Sequence, residues 1–178
     1  AYRRQRQMCK ETALQNRSSN SYTLNINGSV INNGTIRNNP TIYHLSLNIG
    51  GNITNNGSWN NYNITLNGSS AQHISCDAGK FFDLYSFYGN NSRATVYFDS
   101  DVKFTGTIIN LREDEIIFSA EHSLTIDGGY LYNGSLSGSD IILIMNENAY
   151  LRSLNIQNNC ELQGTCQISD YVCLLYTS

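Results

Sequence analysis

The sequence predicts an all-β solenoid of stacked parallel coils, and three observations carry that prediction. The stretch LNINGSVINNGTI at Leu24 to Ile36 recurs as LNIGGNITNNGSW at Leu47 to Trp59 and as LTIDGGYLYNGSL at Leu124 to Leu136. Within each copy apolar residues alternate with polar ones, as Leu24, Ile26 and Val30 do against Asn25, Asn27 and Ser29, which is the period of a strand. A Gly and then an Asn-Gly pair fall at the same offsets in all three copies, supplying the bends between strands. Self-similarity at a spacing of roughly 20–50 residues marks an array whose units bury their faces against their neighbours.

Two looser copies, VYFDSDVKFTGTI at Val96 to Ile108 and LNIQNNCELQGTC at Leu154 to Cys166, extend the frame. The copies thus begin at Leu24, Leu47, Val96, Leu124 and Leu154, and the long gap between Leu47 and Val96 leaves room for one more. Five or six coils are therefore expected, forming a rod about 25 Å long at ~4.8 Å per strand spacing. This coil size and pattern resemble the right-handed parallel β-helix superfamily, which includes pectate-lyase-like enzymes and the passenger domains of bacterial adhesins. The resemblance spans roughly residues 22–168. It implies a right-handed, pectin-lyase-like coil and two classes of function, a surface adhesin segment or an enzyme acting on polysaccharide.

Three regions follow along the chain. Residues 1–20 are basic, rich in Gln and without strand alternation, and are expected to be irregular. Residues 21–170 form the solenoid, expected to be a fragment of a longer array. Residues 171–178 break the repeat, and their CLLYTS resembles a translated sequencing adapter, so this tail is expected to be foreign to the array. No apolar run is long enough for a signal peptide or a membrane span.

Charged residues make up 14% of the chain and the formal net charge is -3, which leaves no electrostatic footprint for nucleic acid. Asn is the outlier of the composition, concentrated in the first part of the chain. Asn33, Asn56 and Asn133 fall at equivalent offsets, and an internal amide ladder at a coil corner is their expected role. The same turns create glycosylation sequons, among them Asn27, Asn52, Asn63 and Asn90. Five cysteines, Cys9, Cys76, Cys160, Cys166 and Cys173, show no zinc spacing. Cys160 and Cys166 sit in the inward phase, as stacked buried thiols or, alternatively, a disulfide.

Two patches bear on function. Phe81, Phe82, Tyr85, Phe87 and Tyr88 are too dense for one inward face, so some point outward. They form either a widened core or a platform on which sugar C–H faces stack, with Phe81, Phe82 and Tyr85 as the ligand-binding candidates. Setting Val96 against Leu124 places Asp99 and Asp127 at one outward position of adjacent coils, about 5 Å apart, with Asp101 on the same face. Such a pair could serve as the catalytic acid and nucleophile of a retaining glycosidase. Asp99, Asp101 and Asp127 could equally hold Ca²⁺, or simply form a solvated face. Arg112–Glu115 is expected to be a solvated loop.

The enzymes of this fold use motifs that are absent here: the Asn-Thr-Asp, Asp-Asp, Gly-His-Gly and Arg-Ile-Lys elements of polygalacturonases do not occur. The sequence therefore favours a non-catalytic solenoid segment of a secreted or cell-surface adhesin-like protein. Such a segment would be a spacer, or would offer a flank to polysaccharide, host glycan or protein. The alternative is a carbohydrate-active β-helix enzyme, a polysaccharide lyase or glycoside hydrolase. Ice binding is disfavoured, because the outward column 25, 48, 97, 125, 155 reads Asn, Asn, Tyr, Thr, Asn.

Overall fold

The computed structural model describes residues 13–16, 19–38, 43–90, 95–119, 122–157 and 159–175. Its elements are β1 Leu14–Gln15, β2 Tyr22–Ile26, β3 Val30–Asn32, β4 Thr35–Arg37, β5 Leu45–Ile49, β6 Ile53–Asn55, β7 Ser58–Leu66, β8 Gln72–Cys76, β9 Phe82–Tyr88, β10 Thr95–Phe98, β11 Val102–Asn110, β12 Glu115–Phe118, β13 Ser123–Gly138, β14 Asp140–Gln157 and β15 Asn159–Leu175. Every strand pairing is parallel. The chain is a parallel β-solenoid of about seven turns, one or two more than the repeat count suggested. The extra turns come from coils of unequal length: the step from Leu47 to its partner Ile64 is shorter than the step from Ile64 to Phe87.

Each coil contributes to three ladders, and each ladder stacks one apolar column inward. The first column runs Ile36, Trp59, Phe82, Phe104, Ile126, Met145. The second runs Leu24, Leu47, Ile64, Phe87, Ile109, Leu131, Leu151. The third runs Val30, Ile53, Ile74, Phe98, Phe118. Apart from Leu24 in the first coil of its column, these residues are at most 8% exposed. Strict alternation within a strand points the neighbouring side chains outward.

Aromatic residues fill the middle coils. Trp59 meets Phe82 edge-on with ring centroids 5.1 Å apart, and Phe104 lies 5.3 Å from Phe82 and 5.2 Å from Phe87. Such pairs add about 0.5–1.5 kcal/mol each beyond area burial. The Trp59 indole N–H donates to Asn61 Oδ1 at 2.8 Å, and the Asn61 amide donates to the Leu45 and Asn63 carbonyls. A buried Trp thus keeps its polar handle satisfied.

The amide ladder exists, one residue away from where the repeat placed it. Asn32 Nδ2 donates to Asn55 Oδ1 at 2.9 Å, and Asn55 Nδ2 donates to the Phe81 carbonyl at 3.0 Å. Both side chains are buried, and each Oδ1 also accepts the backbone N–H two positions on, from Gly34 and Gly57. Asn33 and Asn56 do pair, at 2.9 Å, but on the outside. Asn133 belongs to another corner and donates to Asn110 at 3.3 Å. Gly57 must lack a side chain, because a Cβ there would lie 2.1 Å from the Gly34 carbonyl oxygen of the coil beneath.

Three further expectations are revised. The Arg112–Glu115 stretch turns at Arg112 and Glu113, both at positive φ, but Asp114 is fully buried and Glu115 opens β12. Asp114 Oδ2 accepts the Asn90 backbone N–H, so this carboxylate anchors a corner instead of facing solvent. Strand β1 lies inside the N-terminal segment expected to be irregular, and β15 continues to Leu175, past residue 170. Cys76, Cys160, Cys166 and Cys173 are free thiols, and Cys9 lies outside the described residues. Cys160 and Cys166 face different columns, opposite Ile141 and Ala149.

The two Asn ladders separate burial from mere pairing. Asn55→Ala leaves the Gly57 N–H and one of the two N–H groups of Asn32 Nδ2 without their acceptor, the other still reaching the Ser58 carbonyl, at roughly 1–3 kcal/mol, or a fall in Tm of about 3–10 °C. Asn56→Ala, on the surface, should cost no more than about 0.5 kcal/mol. Thermal melts followed by far-UV circular dichroism check the contrast, and equal shifts for the two variants would refute it.

Candidate functional site

The outer surface of the first ladder is a flank of three lanes. Its central lane is polar and runs along the rod as Arg37, Asn60, Asp83, Thr105 and Asp127, each opposite the next in strand register. Asn60 Nδ2 donates to Asp83 Oδ2, and Asn146 Nδ2 donates to Asp127 Oδ1 at 3.0 Å, extending the lane by one coil. The second lane holds Phe81 and Lys103. The third is the corner where the first ladder gives way to the second, and it carries aromatic rings.

Those rings form an external stack. His44 lies 4.0 Å from Tyr62, and Tyr62 lies 4.9 Å from Tyr85 with ring planes only 3° apart. The centroid spacing repeats the coil spacing, so the rings are rungs set one coil apart. Tyr85 is 54% exposed. In the next coil register sets Thr107 opposite Tyr85, and the residue before it, Gly106, is exposed at φ 62° with no heavy atom within 4 Å of where a Cβ would stand. Thr107 turns inward there and donates to the Leu84 carbonyl at 3.1 Å, so no side chain continues the stack.

The aromatic cluster therefore divides between core and surface. Phe82 and Phe87 are core residues at 1% and 2% exposure, which removes Phe82 from the ligand-binding candidates. Phe81 and Tyr85 point outward. Phe81 has a cation over it, the Lys103 ammonium 5.9 Å from its ring centroid. Among the described residues, Tyr62 is the one ring stacked on Tyr85.

The acidic pair is not brought together. Register sets Val102 opposite Leu124 and Thr105 opposite Asp127, so Asp99 occupies a different corner from Asp127. Asp127 instead faces Lys103, with Nζ 2.6 Å from Oδ2. That hydrogen bond, helped by Asn146, holds the Asp127 carboxyl below its usual range. Asp99 accepts from Ser119 Oγ at 3.2 Å and lies 2.8 Å from His73 Nδ1. His73 also stacks on Tyr97 at 4.8 Å. Here the carboxylate stands between Ser and His, whereas a Ser nucleophile needs the imidazole in the middle. Asp101 accepts from the Ser123 N–H and Oγ at 2.8 and 2.9 Å. Among the described residues no three His, Cys, Asp or Glu side chains gather as a metal ion would require. Nor, among them, is any helix long and apolar enough to cross a membrane.

Asp83, Tyr62 and His44 escaped the sequence reading. A signal was present, since Tyr62 and Tyr85 stand as far apart in the chain as Leu24 and Leu47 do. No family model, curated protein or solved structure matches this chain.

The Lys103–Asp127 contact fixes a pH dependence. A carboxyl lowered in the folded state contributes stability above its unfolded value of about 4, and that contribution is lost as pH falls through the lower folded value. Asp127→Asn should be less stable than the parent at pH 7 by no more than about 1 kcal/mol, the scale of exposed pairs. The gap should close below about pH 4. Melts of both proteins from neutral pH into strong acid test this, and a gap that widens in acid would contradict it.

Proposed function

We propose that this chain is a non-catalytic β-solenoid segment of a secreted or cell-surface adhesin-like protein, a spacer that also presents a flank for binding. The observation that carries the reading is the matched outer ladders. Asn25 with Asn48, Asn33 with Asn56, His44 with Tyr62 and Tyr85, and Tyr130 with Tyr150 repeat like on like along the rod. Each of these ladders is matched over two or three coils, and they lie on more than one side of the rod, which suits a spacer and an extended ligand better than the single pocket of an enzyme. About seven coils at ~4.8 Å make a rod of about 34 Å.

The alternative, a carbohydrate-active enzyme, draws its support from the His73–Asp99 contact and the acids nearby. The two readings separate in one assay. The chain is incubated with neutral and acidic polysaccharides, with Ca²⁺ and with chelator, and new reducing ends and unsaturated products are followed. The spacer reading expects no product. Release that disappears in Asp99→Ala or Asp127→Ala would establish the enzyme instead.

A further inference from the structure

We infer that the open rung above Tyr85 is a binding site for a sugar ring of an uncharged glycan, an inference that rests on the binding-flank reading above. Among the described residues no ring stacks on Tyr85 beyond Tyr62, and Tyr85, the last of the stack His44, Tyr62, Tyr85, is 54% exposed. Because Tyr62 and Tyr85 are parallel to within 3° and one coil apart, the free face of Tyr85 is turned toward the following coil. Register sets Thr107 opposite Tyr85, but its side chain is buried; the exposed residue beside it, Gly106, presents no side chain, and Gly128 holds the position equivalent to Gly106 one coil further, at φ 75°. The result is a ledge with an aromatic floor, one rung deep. A ring entering it would take the fourth place in a stack already spaced for ring-on-ring contact.

The surroundings specify what kind of ring. Two positions before Tyr85 on the same outward face stands Asp83, with Asn60 beneath it and Thr105 above. A carboxylate, an amide and a hydroxyl beside an aromatic floor match a polyol, whose C–H face packs on the ring while its hydroxyls meet the polar lane. Charge narrows the class further. Asp83 would repel a uronic acid or sulfated sugar, and Lys103, the cation of the neighbouring lane, is engaged by Asp127 at 2.6 Å. Phe81 lies about 13 Å from Tyr85 along the chain, at about 3.3 Å per residue. With Lys103 over its ring it is a secondary contact for a longer glycan.

The test is affinity electrophoresis of the full chain in gels containing mannan, a soluble β-glucan or polygalacturonate, with circular dichroism confirming that each variant is folded. At least one uncharged polysaccharide should retard the protein. Tyr85→Ala should weaken that retardation about tenfold in Kd, the loss of one stacking contact. Tyr85→Phe, which keeps the ring, should restore it, and Asp83→Ala should weaken it severalfold. Tyr97→Ala, which removes a ring stacked on His73 over the third ladder, should leave it unchanged. Retardation that is indifferent to Tyr85→Ala, retardation by polygalacturonate alone, or no retardation in any gel would each overturn the site. None of these results touches the spacer reading, which fails only if product is released.

Discussion

In-register parallel stacking governs this molecule: whatever a side chain touches is set chiefly by the residue one coil above and one coil below. Inward, this turns three columns into a continuous core, so that Leu47, Ile64 and Phe87 bury one another although they are far apart in the chain. Outward, it sets identical or complementary polar groups at hydrogen-bonding distance without any help from burial. The backbone pairs as a by-product of the same stacking, which leaves the side chains to choose the register.

That choice is made most firmly where a mismatch would strand a buried polar group. Asn32 and Asn55 each satisfy a turn N–H, a carbonyl one coil away and, between them, one another. Gln72 acts in the same way at another corner, donating to the Ile49 and Gly51 carbonyls while accepting the Gly68 N–H. A slip by one position would turn these amides out and apolar residues with them. Close approach reinforces the register, since Gly57 sits over Gly34 with no room for a Cβ.

The fold was legible in the sequence because its two most regular coils are of equal length and nearly the same composition. Leu24 pairs with Leu47 and Asn25 with Asn48, as the repeat implies. The acidic pair was misplaced for a physical reason. Each coil has several corners, and many share one chemistry, a short apolar strand followed by a polar turn that often holds a Gly. A copy of the pattern can therefore begin on any ladder. Leu24 begins on the second, Val96 on the third and Leu124 on the first. Matching Val96 to Leu124 joins different sides of the rod. Unequal coils, such as Leu47 to Ile64 against Ile64 to Phe87, hide the shift, and only the register of the folded strands reveals it.

The aromatic corner was half legible. Density alone showed that five aromatic residues could not all be core, but which of them faced out depended on a phase that Phe82 and Leu84 set by packing inward. The end of the stack depended on a glycine. In an array where like sits on like, a continuous column satisfies itself and offers little to a partner, because each ring covers the next. Interaction capacity gathers where a column changes class, and two breaks on this flank show the contrast. At one, Lys103 stands between Phe81 and Asp127 and is consumed by its neighbours. At the other, the coil after Tyr85 turns Thr107 inward and leaves Gly106 outside, so no described ring follows Tyr85, and it is on this break that the proposed sugar site rests.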